Sequence, residues 1–242
     1  VVKYGPNEVT SLRHLPSWAL LAFAAGAVNA GAFLACQRFV SHVTGTLTHV
    51  GVGAGVGKLI ALEYLLVVAC FIMGATSAVL LVRRLGRSGD HPWWLPLMIV
   101  AGLVGLVAML GHGGAFGVFG SAVETPEDFG LLALLSVAMG MQNASVAAST
   151  GLAVRTTHMT GPATDLSIAL ATLLAGERAE METAWRSAVL RGTKIVAFVL
   201  GGVAMVPLAA RIGFLSFIIP AAACVSATVL SFTPRRVPQS NT

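Results

Sequence analysis

Read along its apolar runs and their breakers, the chain predicts a helix A over residues 16–36, a linker QRFVS, and a glycine- and threonine-rich segment B over 42–56. Segment B is too short and too polar for an ordinary membrane span, which takes ~20 mainly apolar residues. A helix C follows over 58–82, then the basic turn RRLGRSGDHP and a helix D over 93–110. A polar loop carrying Glu124, Glu127 and Asp128 closes this half of the chain.

The pattern then starts again. WALLAFAAGAVNAG matches LALLSVAMGMQNAS at an offset of 114, pairing Gly26 with Gly140 and Asn29 with Asn143. VSHVTGTLTHVG matches TTHMTGPATDLS at an offset of 116, pairing His42 with His158, Thr44 with Thr160, Gly45 with Gly161 and Thr48 with Thr164. FIMGATSAVLLVRRLG matches FVLGGVAMVPLAARIG at an offset of 127, pairing Phe71 with Phe198, Gly74 with Gly201 and Arg84 with Arg211. Apolar helices resemble one another by chance, but three matches in the same order indicate duplication. The expected organisation is a first repeat over 1–111, a connecting loop over 112–128, a second repeat with helices A′ to D′ over 129–233, and a tail over 234–242.

Composition names the solvent. Of 242 residues 56% are hydrophobic and 10% charged, with a mean hydropathy of +0.83, against the ~25% charge of a soluble domain. Lipid is therefore the expected surrounding, and the first apolar run is expected to stay in the membrane, with no cleavage site of a signal peptide after it. The net charge of +5 would suit nucleic acid if the basic residues shared a face with aromatics. They stand instead at the ends of apolar runs, as topology signals do, so no nucleic-acid partner is expected. Cys36, Cys70 and Cys224 lie in separate apolar stretches without ligand or disulfide spacing and read as packing residues, with no metal and no cofactor implied.

Lys and Arg favour the cytoplasmic side, so Lys3 and Arg13 place the N-terminus inside. If B dips in and returns, C delivers Arg83, Arg84 and Arg87 to the cytoplasm and the acidic loop lies outside. Arg186, Arg191, Lys194, Arg235 and Arg236 then fall inside, with Arg211 alone outside. The fold class is thus all-α and polytopic, with about six transmembrane helices and two re-entrant or half-helical segments. Three crossings per half turn the second half over, making the repeats inverted, a common construction of secondary transporters.

Candidate chemistry concentrates in SHVTGTLTH and THMTGPATD, since polar groups at membrane depth usually face a cavity or a partner. Ser41, His42, Thr44, Gly45 and Thr48 in the first motif, and His158, Thr160, Gly161 and Thr164 in the second, look like helix starts whose hydroxyls cap free N–H groups. Pro162 fits a first turn, where the missing N–H costs nothing. Half-helices starting inside the membrane turn their positive ends on the cavity and suit an anion or a polar solute. Arg38 and Arg155 stand just upstream. Asp165 replaces His49 of the first repeat and is either a proton or ion-coupling site or the partner of a base such as Arg155. Asn29 and Asn143, mid-helix in A and A′, bridge helices or hold the backbone of the B segments. Singly, either histidine is more often a capping or packing imidazole than a ligand; their equivalence under the duplication puts a shared cavity on a level with that reading.

Catalysis has little support: GxSxG, HExxH and the phosphate-binding GxxxxGK[ST] are all absent from the sequence. At FVSHVTGT in the first half, and at GMQNA, VRTTHMTG and TDL in the second, the chain resembles the YoaK-type bacterial inner-membrane proteins, a domain of unknown function, over nearly its whole length. The resemblance implies a compact multi-pass protein of the inner membrane and supplies no substrate. By analogy of fold alone, the paired half-helices are similar to those of larger anion and nucleobase transporters. The expectation is a secondary transporter of a small molecule or ion, in contact with membrane lipids and compatible with a homo-oligomer. A passive channel and a non-transporting scaffold or sensor are the alternatives.

Overall fold

Apolar segments in lipid have no water to satisfy their N–H and C=O groups, so the backbone must satisfy itself within helices. A computed structural model describes residues 2–56, 60–86, 91–120, 126–176 and 178–232, and among these every regular element is a helix. A short α1 (Pro6–Val9) leads to α2 (Leu15–Cys36), α3 (Val43–Gly55), α4 (Ile60–Leu85) and α5 (Trp94–His112). The second half holds α6 (Pro126–Ser149), α7 (Thr160–Ala175) and α8 (Met181–Ile212), then a 3-10 turn over Gly213–Phe217 and α9 (Ile218–Ser231). These are the predicted A, B, C and D and their counterparts. Lys58, Arg87, Glu124, Arg235 and Arg236, used in the sequence reading, lie outside the described residues.

Five stretches of the described residues are long and apolar enough to cross a membrane: Leu15–Cys36, Tyr64–Leu85, Trp94–His112, Asp128–Ser149 and Met181–Ser231. The last runs to 51 residues and contains both α8 and α9, parted at Gly213, where φ of +52° breaks the helix. With 13 and 16 residues, α3 and α7 measure ~20 and ~24 Å at a rise of 1.5 Å per residue. Neither reaches across a ~30 Å hydrocarbon core. α6 begins at Pro126, inside the stretch read as a connecting loop, and the described part of that loop folds back to place Phe119 edge-on to Phe214, ring centres 4.9 Å apart.

Two glycine crossings set the core. A Cβ at Gly26 of α2 would overlap the Phe198 carbonyl oxygen, and one at Gly201 of α8 would overlap that of Phe23. At the second crossing Gly74 of α4 lies against the Val137 carbonyl, and Gly140 of α6 against that of Phe71. Gly26 pairs with Gly140, and Gly74 with Gly201, under the duplication, so the second crossing repeats the first. Such close approach supplies the dispersion contacts that hold helices together where lipid offers no hydrophobic drive. Around these crossings α3 packs on α4, α7 on α8, α9 on α2 and α5, and α5 on α6.

The N-terminal segment pins one end of the bundle. Lys3 and Tyr4 donate backbone N–H groups to the carbonyl of Ser149, where α6 ends, at 2.8 and 3.0 Å. Lys3 Nζ donates to the Phe232 carbonyl at 2.7 Å, and the Tyr4 hydroxyl donates to that of Ser231, both at the end of α9. Burial, with Glu8 adding to it, raises the Tyr4 phenol above its usual pKa and keeps it a donor. Thr10, Ser11 and Leu12 lie across a cleft from Glu182 and Arg186 at the start of α8. The start of α2, the end of α6, the start of α8 and the end of α9 therefore share this end. At the opposite end Phe214, just after α8, packs on Gly111 near the end of α5.

Candidate functional site

Gln37, left-handed at φ +53°, ends α2 and turns the chain back. Residues 38–41 return to Asn29, about two turns before that end. The Ser41 N–H donates to Asn29 Oδ1 at 3.2 Å, and Asn29 Nδ2 donates to Ser41 Oγ at 2.7 Å and to the Ala25 carbonyl at 2.8 Å. Ser41, two residues before α3 begins, thus stands beside Asn29 in the second half of α2. In the second half Gly151 and Leu152, left-handed at φ +61° and +69°, make the corresponding turn. Thr157, the equivalent of Ser41, donates its N–H to Asn143 Oδ1 at 3.5 Å. Both asparagines hold the backbone leading into a half-helix, the second of the two roles read from the sequence.

The two half-helix starts open on one cavity of about 450 Å³. Ser41, His42, Thr44 and Gly45 line it from one half, and Thr157, His158 and Thr160 from the other. Phe198 of α8 adds an apolar wall, its ring 6.4 Å from that of His42. Gly45 has open space where a Cβ would stand, so a solute can approach the backbone there.

Neither N-cap residue, His42 of α3 or Met159 of α7, makes a side-chain cap bond, which corrects the capping role read from the sequence. The hydroxyls turn the other way. Thr46 Oγ1 donates to the His42 carbonyl at 3.0 Å, Thr48 Oγ1 to that of Thr44 at 3.1 Å, and Thr164 Oγ1 to that of Thr160 at 3.1 Å. Bonding back to the i−4 carbonyl satisfies each hydroxyl inside its own helix and leaves the first-turn amides without a side-chain partner at the cavity wall. Thr48 and Thr164 do not line the cavity, and the His42 ring lies against Phe39, centroids 4.4 Å apart.

Behind His158 a smaller pocket of about 100 Å³ gathers Arg155, Gly161, Asp165, Arg191 and Lys194. Asp165 Oδ2 is 3.4 Å from Arg191 Nε, so its partner is Arg191 and not Arg155. In the first half the equivalent residues are His49 and Tyr64, whose rings stack at 4.8 Å. Arg38 is drawn over the Tyr64 ring at 5.2 Å.

Sequence reasoning missed Gln142. Buried in α6, it donates to the Leu21 carbonyl at 2.9 Å and to Thr156 Oγ1 at 3.0 Å, and accepts the Cys224 thiol at 3.4 Å. It ties α6 to α2, to α9 and to the strand of chain entering α7. The duplication hid it, because Val28 stands at the equivalent place; an amide amid the apolar residues of GMQNA was the available signal.

Fold and cavity define a multi-pass helical membrane protein. The chain belongs to the family described as a protein of unknown function (DUF1275), whose model matches residues 18–230, in keeping with the YoaK-type resemblance. No curated protein and no solved structure matches it.

Proposed function

We propose that the protein is a secondary transporter of a small anionic or polar solute in a bacterial-type inner membrane, with its site between the starts of α3 and α7. One observation carries this reading: two uncapped half-helix N-termini, one from each repeat, reach the same cavity. Free N–H groups and the positive dipole ends favour negative or polar groups there.

The architecture supports alternating access. Counting α8 as one crossing, and the 3-10 turn with α9 (together ~31 Å over Gly213–Ser231) as another, gives six crossings, with α3 and α7 as half-helices. The contacts of Lys3 and Tyr4 with Ser149 put the beginning of α2 beside the end of its equivalent, α6. Opposed directions of equivalent helices are what inverted repeats require. Lys3, Arg13 and Arg186 gather at that end, which the preference of basic residues for the cytoplasm makes the inner one.

The test is flux through proteoliposomes offered a panel of small anions, zwitterions and sugars. Saturable flux driven by a proton or sodium gradient is expected. Fast, uncoupled conductance would make the protein a channel, and no flux for any solute would favour the scaffold.

A further inference from the structure

The pocket behind His158 stands apart from its surroundings in charge. Arg155, Arg191 and Lys194 line it against a single acid among the described residues, Asp165, leaving two positive charges unbalanced. Lys194 is 2% exposed and has no hydrogen bond or ion pair of its own among the described residues; the one acid that acts on it, Asp165, is bonded to Arg191. A buried ammonium without a partner is costly, and buried charges are ordinarily paired. The corresponding first-half positions are Phe39, His49, Tyr64 and Val67, so the cluster is not packing inherited from the duplicated fold. Gly161, in the uncapped first turn of α7, forms part of the same wall.

We infer that this pocket binds a small inorganic or carboxylate anion, held by Lys194 and Arg155 at the first turn of α7. The inference rests on the transport reading and deepens it by naming the ligand class. A cavity of about 100 Å³ has room for a few water molecules, hence for an anion of a few heavy atoms. Acetate, nitrate and phosphate are of that size; gluconate is not. His158 lines both this pocket and the central cavity, so the anion enters from the place where the solute site was proposed.

The test uses the full chain in detergent and sodium gluconate, with the unfolding temperature followed as acetate, nitrate or phosphate is added. The native protein should show a saturable rise with at least one of them. Lys194→Met should raise the unfolding temperature in gluconate alone, since it removes an unpaired buried charge, and should abolish the rise with anion. Should Lys194→Met fail to fold, Arg155→Gln, at an exposed residue, serves in its place and should weaken binding about tenfold, the loss expected for one charge-assisted bond. No saturable rise, or equal rises in the native protein and the variants, overturns the inference. A rise given only by phosphatidylglycerol in mixed micelles assigns the pocket to a lipid headgroup and also overturns it. Anion binding at Lys194 without flux of any solute would leave this site standing and sink the transport reading; coupled flux of a neutral solute without anion binding would do the reverse.

Discussion

Asp165 meets Arg191 at 3.4 Å in the place where His49 stacks on Tyr64 in the other half. Each contact joins a half-helix to the long helix that follows it, so the joint recurs while its chemistry changes from aromatic to ionic. The ionic version is partly open, with the Asp165 side chain 50% exposed and that of Arg191 17%. A pair so placed contributes at most about 1 kcal/mol, which makes its charge, more than its stability, the property to test.

Asp165→Asn should therefore unfold within about 1 kcal/mol of the native protein and bind acetate more tightly, because a competing carboxylate has gone. In proteoliposomes it should lose gradient-driven accumulation and keep solute exchange. Unchanged accumulation would remove Asp165 from coupling, and loss of the fold would return it to a structural pair.

The two asparagines should differ. Asn29 is buried and makes short bonds to both the hydroxyl and the backbone of Ser41, so Asn29→Ala should cost about 1–3 kcal/mol by leaving Ser41 unsatisfied. Asn143 makes one long bond from a half-buried position, so Asn143→Ala should cost less. Unfolding in detergent measures both, and an equal or reversed order would contradict the geometry.

Gly26→Ala and Gly140→Ala should each destabilise by about 1–3 kcal/mol through overpacking at the crossings. Gly102→Ala, with nothing within 4 Å of the added methyl group, should be neutral or stabilise by up to about 1 kcal/mol. Similar losses at all three would mean that the crossings are not what the glycines serve.

Because His42 and His158 line one cavity, His42→Ala and His158→Ala should each weaken solute binding, with a coupling energy of ~0.5–3 kcal/mol in the double variant. Independent sites would add to within ~0.5 kcal/mol. Additivity, or normal binding in either single variant, would separate the histidines into two packing features.

Topology can be read by chemical labelling. Leu85 and Val118 are exposed, and the native cysteines are buried. Leu85→Cys and Val118→Cys should react with an impermeant maleimide from opposite sides of the membrane. Reaction from the same side would end the six-crossing arrangement.

The helices were legible in the sequence because each satisfies its own backbone: α2, α3 and α5 begin and end within two residues of the apolar runs that predicted them. The duplication was legible too, since Gly26 with Gly140 and His42 with His158 recur in order. The sequence likewise marked the segment that forms α3 as too short and too polar for an ordinary span. What it did not contain was the destination of side chains whose partners are distant along the chain. Asp165 had Arg155 nearby and took Arg191, 26 residues away; Gln142 reached Leu21, 121 residues away. Those choices follow from where the helices cross, and the crossings depend on how closely two backbones can approach at Gly26 and Gly201. Local pattern fixes a helix because its hydrogen bonds close within a turn, whereas the cavity between α3 and α7, and the unpartnered Lys194 behind it, exist only once both halves have packed.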